Sequence, residues 1–262
     1  MIRSLYTSAT GMMAQQIQID TTSNNIANVN TIGYKKQRAE FADLMYQTME
    51  YAGTSTSEQT KSPTGISIGL GVRPTAIAKQ FTQGNFKETG NNLDLAITGN
   101  GFFKVLLPDG TQAYTRNGAF KLDAAGTIVN SDGYALSPEV VIPQDAVSIS
   151  IGADGTVSVL QAGQQEATDI AQIQLTNFIN PAGLHSLGDN LYINTSASGD
   201  PVEGVPGLDG LGQIRQGFVE MSNVQLVEEM TDLITGQRAY EANSKAITTS
   251  DEMLQIVNNL KR

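Results

Sequence analysis

The chain has 262 residues, of which 40% are hydrophobic and 16% charged, and its net charge is −10. This length allows one large domain or two ordinary ones. The acidic excess lies in the middle, because residues 81–215 carry 5 basic and 14 acidic side chains, and this disfavours nucleic-acid binding. No cysteine is present, which excludes a disulfide framework and thiolate chemistry.

The start of the chain lacks the features of a secretory signal. Its first residues include no apolar run of about 7–15 residues, so a cleaved signal peptide is not predicted. A stretch of about 18 apolar residues is also missing, so no membrane-spanning helix is predicted. The protein is therefore expected to stay in the cytoplasm or to leave it by a route that needs no cleaved signal.

Both ends of the chain are predicted to be helical. In residues 1–30 and 222–262 a large apolar residue recurs every seven positions, while glycine and proline are rare. The predicted packing residues are Leu5, Met12, Ile19 and Ile26 against Leu226, Met230, Leu233, Tyr240, Ile247 and Leu254.

These seams are predicted to be weak. Gln237, Ser244 and Asp251 follow Met230 in its row and interrupt it with polar groups. Burying about four large apolar side chains per helix, at roughly 1.5–3 kcal/mol each, barely offsets the ordering of the helices. We therefore expect the helices to need partners from other chains. The alternative is a single antiparallel helical hairpin on one globular core.

The region after the first helix changes character. Gly33 is predicted to end the helix in a left-handed conformation. A short helical run from Ala39 to Met49 is predicted next, followed by a polar linker over residues 53–65. Apolar residues alternating with glycine from Ile66 to Ile77 predict an extended ribbon, and residues 218–219 are predicted to pair with it.

Residues 93–215 are predicted to be all-β. Short alternating segments are separated by turn sequences such as Pro108-Asp109-Gly110 and Asp132-Gly133, which favours an antiparallel barrel or sandwich. The predicted fold class is therefore α+β, with long terminal helices and an inserted β-domain. The predicted domains are a helical domain of residues 1–34 and 222–262, a ribbon region of residues 35–92 and 212–221, and a β-domain of residues 93–211.

The sequence contains no pattern that predicts catalysis or metal binding. His185 is the only histidine, and no cysteine could complete a zinc site with it. The aspartates beside glycine are explained by turn hydrogen bonds, since no glutamate stands at calcium-loop spacing. The chain is therefore predicted to be a structural protein with no enzymatic activity, catalytic residue, metal or cofactor.

Segments near both ends resemble signatures of the bacterial flagellar rod and hook proteins. The first is NNIANVNTIGYK, residues 24–35, and the second covers residues 222–254 and includes RAYEANSK. The residues of this family signature are Asn24, Asn25, Asn28, Asn30, Gly33, Tyr34, Arg238, Tyr240, Glu241 and Asn243.

A further stretch narrows the resemblance to one group within the family. Residues 46–74 are similar to a stretch that marks the family members of the distal rod. Its residues are Tyr46, Glu58, Gln59, Thr60, Pro63, Gly65, Gly71 and Pro74.

The resemblance implies a subunit of the distal rod, a straight hollow drive shaft that transmits torque to the hook and lines the export channel. It also implies that the terminal helices form an inner coiled-coil domain and that the β-domain faces outward. Asn24, Asn25 and Asn28 would hydrogen-bond between helices or subunits, while residues 46–65 would lock neighbouring subunits and keep the rod straight. The alternatives are a hook or proximal rod subunit of the same family and, more remotely, a wall-hydrolysing enzyme.

The resemblance also implies partners and a location. The partners would be further copies of the chain, the proximal rod proteins, the hook protein, the periplasmic P ring, the outer-membrane L ring, the rod cap and the flagellar type III export apparatus. The location would be the flagellar basal body in the periplasm.

Overall fold

The computed structural model describes residues 2–54, 63–164 and 166–259. In these ranges the chain begins with the α-helix α1 (Ile2–Ala27) and ends with α2 (Leu226–Asn259), and the residues between them form a mostly antiparallel β region, which confirms the α+β layout. The strands are β1 (Gln37–Asp43), β2 (Tyr46–Glu50), β3 (Ile66–Gly69), β4 (Val72–Lys79), β5 (Phe86–Glu88), β6 (Leu95–Thr98), β7 (Phe102–Leu106), β8 (Gln112–Thr115), β9 (Lys121–Leu122), β10 (Ile128–Val129), β11 (Ala135–Ser137), β12 (Ala146–Ile151), β13 (Thr156–Gln161), β14 (Thr168–Gln172), β15 (Leu175–Asn177), β16 (His185–Gly188), β17 (Leu191–Ile193), β18 (Val202–Gly204), β19 (Gln213–Gln216) and β20 (Phe218–Glu220).

The chain divides into two compact units. The helical unit comprises Met1–Ile26, Gln37–Ala78 and Gln225–Arg262, so it groups both helices with the first four strands. The β unit comprises Ala27–Lys36 and Lys79–Val224. The short segment between α1 and β1 therefore belongs to the β unit, although it continues directly from the first helix.

In the helical unit, α1 and α2 are antiparallel and touch at regular intervals. The contacts on α2 are spaced seven residues apart, which is the spacing of one face of a helix over two turns. They pair Ser4 with Ser250, Gly11 with Asn243, Ile19 with Gly236, and Asn25 with Glu229.

The segment from Ala39 to Met49 is extended, so the predicted helical run is wrong. Residues 37–43 form β1, which pairs with β4, and residues 46–50 form β2, which pairs antiparallel with β3. The residues in this segment have adequate helix propensity, but backbone pairing with strands later in the chain overrides that weak preference.

The β unit is built on a nine-stranded sheet. Its main path runs β16-β17-β8-β7-β11-β10-β9, and β15 joins β7 to β18. The strands β12, β13 and β14 form a separate antiparallel sheet, and β19 pairs with β6. Residues 218–219 belong to β20 and pair with residues 87–88 of β5, so the predicted pairing with the ribbon of residues 66–77 is wrong.

Two clusters of buried side chains hold the β unit together. The larger cluster includes Phe103, Val105, Phe120 and Ile173, which are all 1% exposed or less. The smaller one is aromatic, and Phe102 lies within 6.1 Å, between ring centroids, of Phe81, Phe178 and Tyr192. Edge-to-face packing of this kind adds about 0.5–1.5 kcal/mol per pair beyond the buried area. These contacts give the β unit a core of its own.

Candidate assembly surface

The face that α2 turns towards α1 alternates between two rows. The first row is apolar and consists of Leu233, Tyr240, Ile247 and Leu254. Tyr240 is 39% exposed, and the other three are half-buried. The second row holds small or polar residues, Glu229, Gly236, Asn243 and Ser250. The sequence prediction placed Met230, Gln237, Ser244 and Asp251 in that second row.

Leu226 and Met230 lie away from this seam in a single chain, where they are 45% and 50% exposed. The four predicted residues of α1, by contrast, are half-buried; they are Leu5, Met12, Ile19 and Ile26. A prediction based on apolar residues could not identify the second row, since its members carry no hydrophobic signal.

Two glycines in the middle of the helices explain their close approach. A Cβ atom on Gly11 would lie 3.0 Å from Nδ2 of Asn243, and one on Gly236 would lie 3.2 Å from Cγ1 of Ile19. Glycine within a helix costs about 1 kcal/mol relative to alanine. The cost is offset here because the side chains of Asn243 and Ile19 pack closely against the glycines of the facing helix.

Asn25 joins three elements of the helical unit. Its Nδ2 donates to the carbonyl of Gln37 at 2.8 Å and to Oε2 of Glu229 at 3.0 Å, while its Oδ1 accepts from the Gln37 amide at 2.9 Å. The side chain is 1% exposed. Asn25 therefore fixes the register of α1 against both α2 and β1, and it forms the interhelical bond expected of this signature amide.

Replacement of Asn25 with alanine is expected to lower the free energy of unfolding of the helical unit by about 1–3 kcal/mol. The reason is that the part-buried backbone groups of Gln37 and the buried carboxylate of Glu229 each lose a hydrogen bond. Thermal melts of the full chain, followed by circular dichroism at the helical band, measure this. Ser23→Ala is the control, since Ser23 is exposed on the same helix; equal losses in the two variants would contradict the assigned role.

Large apolar side chains on the outer faces of both helices are exposed. Tyr6 and Met13 are 69% and 66% exposed on α1, and Val227 is 79% exposed on α2. Ile234, Met253, Ile256 and Val257 are also exposed. Exposed apolar side chains in such numbers are typical of interaction surfaces.

The second half of the N-terminal signature enters a buried ion cluster in the β unit. Nζ of Lys35 lies 2.6 Å from Oε1 of Glu220, and Nη1 of Arg116 lies 3.3 Å from Oε2 of the same carboxylate. The three side chains are at most 3% exposed. Burial lowers the pKa of Lys35 and that of Arg116, although the charge of Glu220 opposes both shifts.

The cluster is completed by backbone groups. Lys35 also donates to the carbonyl of Thr82, Arg116 donates to that of Gly99 at 2.6 Å, and Glu220 accepts from the amide of Gly84. These bonds tie segments that lie far apart in the sequence. Sequence reasoning missed the cluster, because single charged residues at such separations form no readable pattern.

The turn after α1 depends on Gly33. Its φ is +71°, and its amide donates to the carbonyl of Glu220 at 2.8 Å. A Cβ atom there would lie 2.6 Å from the amide nitrogen of Asn117. Glycine is therefore required at position 33, because the backbone is left-handed there and because no space is left for a Cβ atom.

Replacement of Gly33 with alanine is expected to destabilise the β unit by more than the ~1–2 kcal/mol of left-handed strain alone. Gly90→Ala isolates that strain, because Gly90 has φ +72° and a Cβ atom there would meet no other atom within 4 Å. Urea titration of both variants measures the difference. Equal losses would mean that the backbone around Asn117 moves aside at no cost.

The remaining signature residues occupy different environments. Asn28 accepts a hydrogen bond from Thr31, and Tyr34 is buried in the β unit. Asn243 lies against Gly11 in the helix seam. The exposed members are Asn24, Asn30, Arg238 and Glu241.

Within the stretch of residues 46–74, the strands β2 and β3 pair to form a two-stranded ribbon. Tyr46 and Met49 of β2 are 57% and 63% exposed, and Pro63, Gly65 and Pro74 are exposed as well. Gly71 has φ +119°, and its missing side chain leaves space for Thr10 of α1. Glu58, Gln59 and Thr60 lie outside the described residues.

The described part of the chain contains no group of three or more histidine, cysteine, aspartate or glutamate side chains that could hold a metal ion. Neither α1 nor α2, over the residues described, is long and apolar enough to cross a membrane. The features left to explain are the exposed apolar helix faces and the ribbon of the helical unit, and the buried ion cluster of the β unit.

Comparison with known protein families gives three matches along the chain. Residues 5–35 match the flagella basal body rod protein family, residues 96–159 match the flagellar hook protein FlgE/F/G D1 domain, and residues 215–260 match the flagellar basal body rod FlgEFG protein C-terminal family. The two terminal matches contain the two signatures, and the middle match lies within the β unit.

Similar proteins extend the comparison to the full length. The chain is 52% identical over 260 residues to the flagellar basal-body rod protein FlgG of Buchnera aphidicola subsp. Schizaphis graminum, covering 99% of this chain and 100% of that one. It is 50% identical over 264 residues to FlgG of Borreliella burgdorferi, with both chains covered completely. A solved structure, the Helicobacter pylori flagellar hook protein FlgE2, matches with a TM-score of 0.25 and 15% identity, over 71% of this chain and 43% of that one.

Axial proteins of the bacterial flagellum are thus the class that the terminal helices and their signatures define. The chain belongs to the flagellar basal-body rod protein family. The resemblance found in the sequence is confirmed, and it extends over nearly every residue.

Proposed function

We propose that this chain is a structural subunit of the flagellar distal rod, which polymerises into a straight hollow drive shaft, transmits torque to the hook and lines the export channel. The observation that carries the proposal is full-length identity of 50% or more to two flagellar basal-body rod proteins. The exposed apolar faces of α1 and α2 support it, since a polymer covers surfaces that a monomer leaves in water.

The helix pair supplies the inner layer of this shaft. One row of its internal seam is built from small and polar residues, whereas Tyr6, Met13 and Val227 are exposed on the outer faces. Each such side chain contributes roughly 1.5–3 kcal/mol when a neighbour buries it completely. Coiled-coil packing against helices of neighbouring copies therefore adds to the stability of the pair.

The ribbon of β2 and β3 makes a second set of contacts between copies. A two-stranded ribbon is marginal alone in water, and this one exposes Tyr46, Met49 and Ile66. Packing against adjacent subunits buries these side chains. In this proposal the ribbon keeps the rod straight, and the β-domain of residues 93–211 faces outward.

Family membership supports the other partners. They are the proximal rod proteins, the hook protein, the P and L rings, the rod cap and the type III export apparatus. The proposed location is the basal body within the periplasm, which the subunit reaches without a cleaved signal peptide. The role is mechanical, with no catalytic step.

Electron microscopy of basal bodies from a strain lacking this gene tests the function. A short rod stub without its outer segment and without a hook is the expected result, and the wild-type gene should restore both. A complete rod that lacks only the hook would identify a hook subunit. Absence of any rod would identify a proximal rod subunit.

A further inference from the structure

Two asparagines of the chain are followed directly by glycine, and both lie in the β unit. They are Asn100, in the loop between β6 and β7, and Asn117, in the loop after β8. An asparagine before glycine is the residue most prone to spontaneous deamidation, because glycine has no side chain to hinder attack by its own amide nitrogen. The local sequence therefore gives both sites the same reactivity, and only the fold can distinguish them.

Deamidation needs no reactant beyond water. The amide nitrogen of the glycine gives up its proton and attacks Cγ of the asparagine, and the new bond closes a five-membered succinimide ring. The bond from Cγ to Nδ2 breaks, and Nδ2 leaves with that proton as ammonia. Water then adds to one of the two ring carbonyls and opens the ring to aspartate or to isoaspartate. The reaction therefore needs a glycine amide that is free to lose its proton and a side chain that can turn back towards it.

Asn100 meets both conditions. Its side chain is exposed, and within the residues that the structure describes its amide group forms no hydrogen bond. The backbone amide of Gly101 likewise has no hydrogen-bond partner among these residues. Gly101 is buried, but it lines the same cavity of about 370 Å³ as Asn100, which leaves room for the side chain to turn and for water to enter.

Asn117, by contrast, is held in place. Its Oδ1 accepts a hydrogen bond from the amide of Ala119 at 3.1 Å, and its own amide donates to Oγ1 of Thr115 at 3.0 Å. Gly118 is buried, and its carbonyl accepts from the amide of Leu95 at 2.9 Å. A Cβ atom on Gly118 would overlap the carbonyl oxygen of Leu95, so the backbone has no space to move on that side. Ring closure at Asn117 would therefore break a hydrogen bond and displace a packed backbone.

We propose that Asn100 is a site of spontaneous deamidation in the folded chain, and that the isoaspartate formed there destabilises the β unit. The loop around Asn100 is anchored at two places. The carbonyl of Gly99 accepts from Nη2 of Arg116 at 2.6 Å, and that of Asn100 accepts from the amide of Gly212 at 2.7 Å. In isoaspartate the main chain gains one carbon before Gly101, and the α-carbonyl that bonds to Gly212 becomes a free carboxylate. The loop can then no longer hold Gly212 and the start of β7 in their present positions.

Mass spectrometry of the ageing protein tests the first part. The purified full-length chain is incubated at physiological temperature and mildly alkaline pH, digested with a protease and analysed at both asparagines by tandem mass spectrometry. In the folded chain, Asn100 is expected to react about tenfold faster than Asn117, the ratio that the loss of one hydrogen bond gives. In urea, which removes the fold, the two rates are expected to be similar. Similar rates in the folded chain, or no reaction at Asn100, would overturn the proposal.

Asn100→Gln is the matched variant for the second part. Glutamine would have to close a six-membered ring, which forms far more slowly, and the exposed side chain of Asn100 has no partner in the described residues that the change would remove. The urea midpoint of the wild-type chain is expected to fall as isoaspartate accumulates, and that of the variant is expected to stay constant. A protein isoaspartyl methyltransferase, which labels isoaspartate, measures the accumulation. Equal falls in both chains, or isoaspartate at residue 100 with an unchanged midpoint, would contradict the destabilisation.

Discussion

Replacement of Glu220 with glutamine is expected to lower the free energy of unfolding of the β unit by about 3–5 kcal/mol. The Glu220 carboxylate is the partner of both Lys35 and Arg116, at 2.6 Å and 3.3 Å. Glutamine has a similar shape but no charge, so two cations stay buried without a compensating anion. Urea titration followed by far-ultraviolet circular dichroism measures the loss.

Glu203→Gln is the matched control. Glu203 pairs with Lys104 at 2.7 Å, but its side chain is 35% exposed, and water screens the charge. The expected loss is therefore only about 0–1 kcal/mol. Similar losses in the two variants would show that burial does not decide the strength of these ion pairs.

Replacement of Leu233 with aspartate is expected to abolish swimming and rod assembly while the β unit stays folded. Leu233 is half-buried in the seam of α2 against α1, where a carboxylate would lose hydration and find Glu229 one turn away. The β unit has its own core and does not include Leu233. Soft-agar swimming, electron microscopy of basal bodies and a thermal melt of the purified chain measure these three expectations.

Gln237→Asp places the same charge on the exposed side of the same helix. This control is expected to keep swimming and rod assembly near the wild-type level. Full-length rods in the Leu233→Asp strain would refute a structural role for the seam. Loss of the β-unit melting transition in that variant would show that the two units do not fold independently.

The sequence predicts the helices well and their seam only in part. The row of Leu233, Ile247 and Leu254 carries a seven-residue apolar repeat, which is the strongest signal that a helical pattern can give. The second row is formed by glycine, serine, asparagine and glutamate, and a search for periodic apolar residues cannot detect it. Its position emerges only when the two helices are placed together.

The ribbon shows a different limit of prediction from sequence. A helical run from Ala39 to Met49 is reasonable from local preference, yet residues 37–43 and 46–50 are strands. Their partners, β4 and β3, follow later in the chain. Local composition cannot encode such pairing, because the hydrogen bonds are supplied by another segment.

The buried ion cluster was beyond sequence reasoning for a further reason. Lys35 belongs to a recognisable signature, but lysine is rarely buried completely, so exposure is the default expectation. Arg116 and Glu220 gave no signal of a shared site. Only the fold brings the three charges within hydrogen-bonding distance.

Several contacts within the two units join residues from the first and the last parts of the chain. Ser4 and Ser250, Asn25 and Glu229, and Lys35 and Glu220 are separated by 246, 204 and 185 residues. Contacts of such long sequence separation slow folding, because the chain loses the entropy of loop closure before these contacts form. During synthesis, α1 emerges from the ribosome long before α2 exists. The last residues to be translated therefore set the time at which the first helix finds its partner.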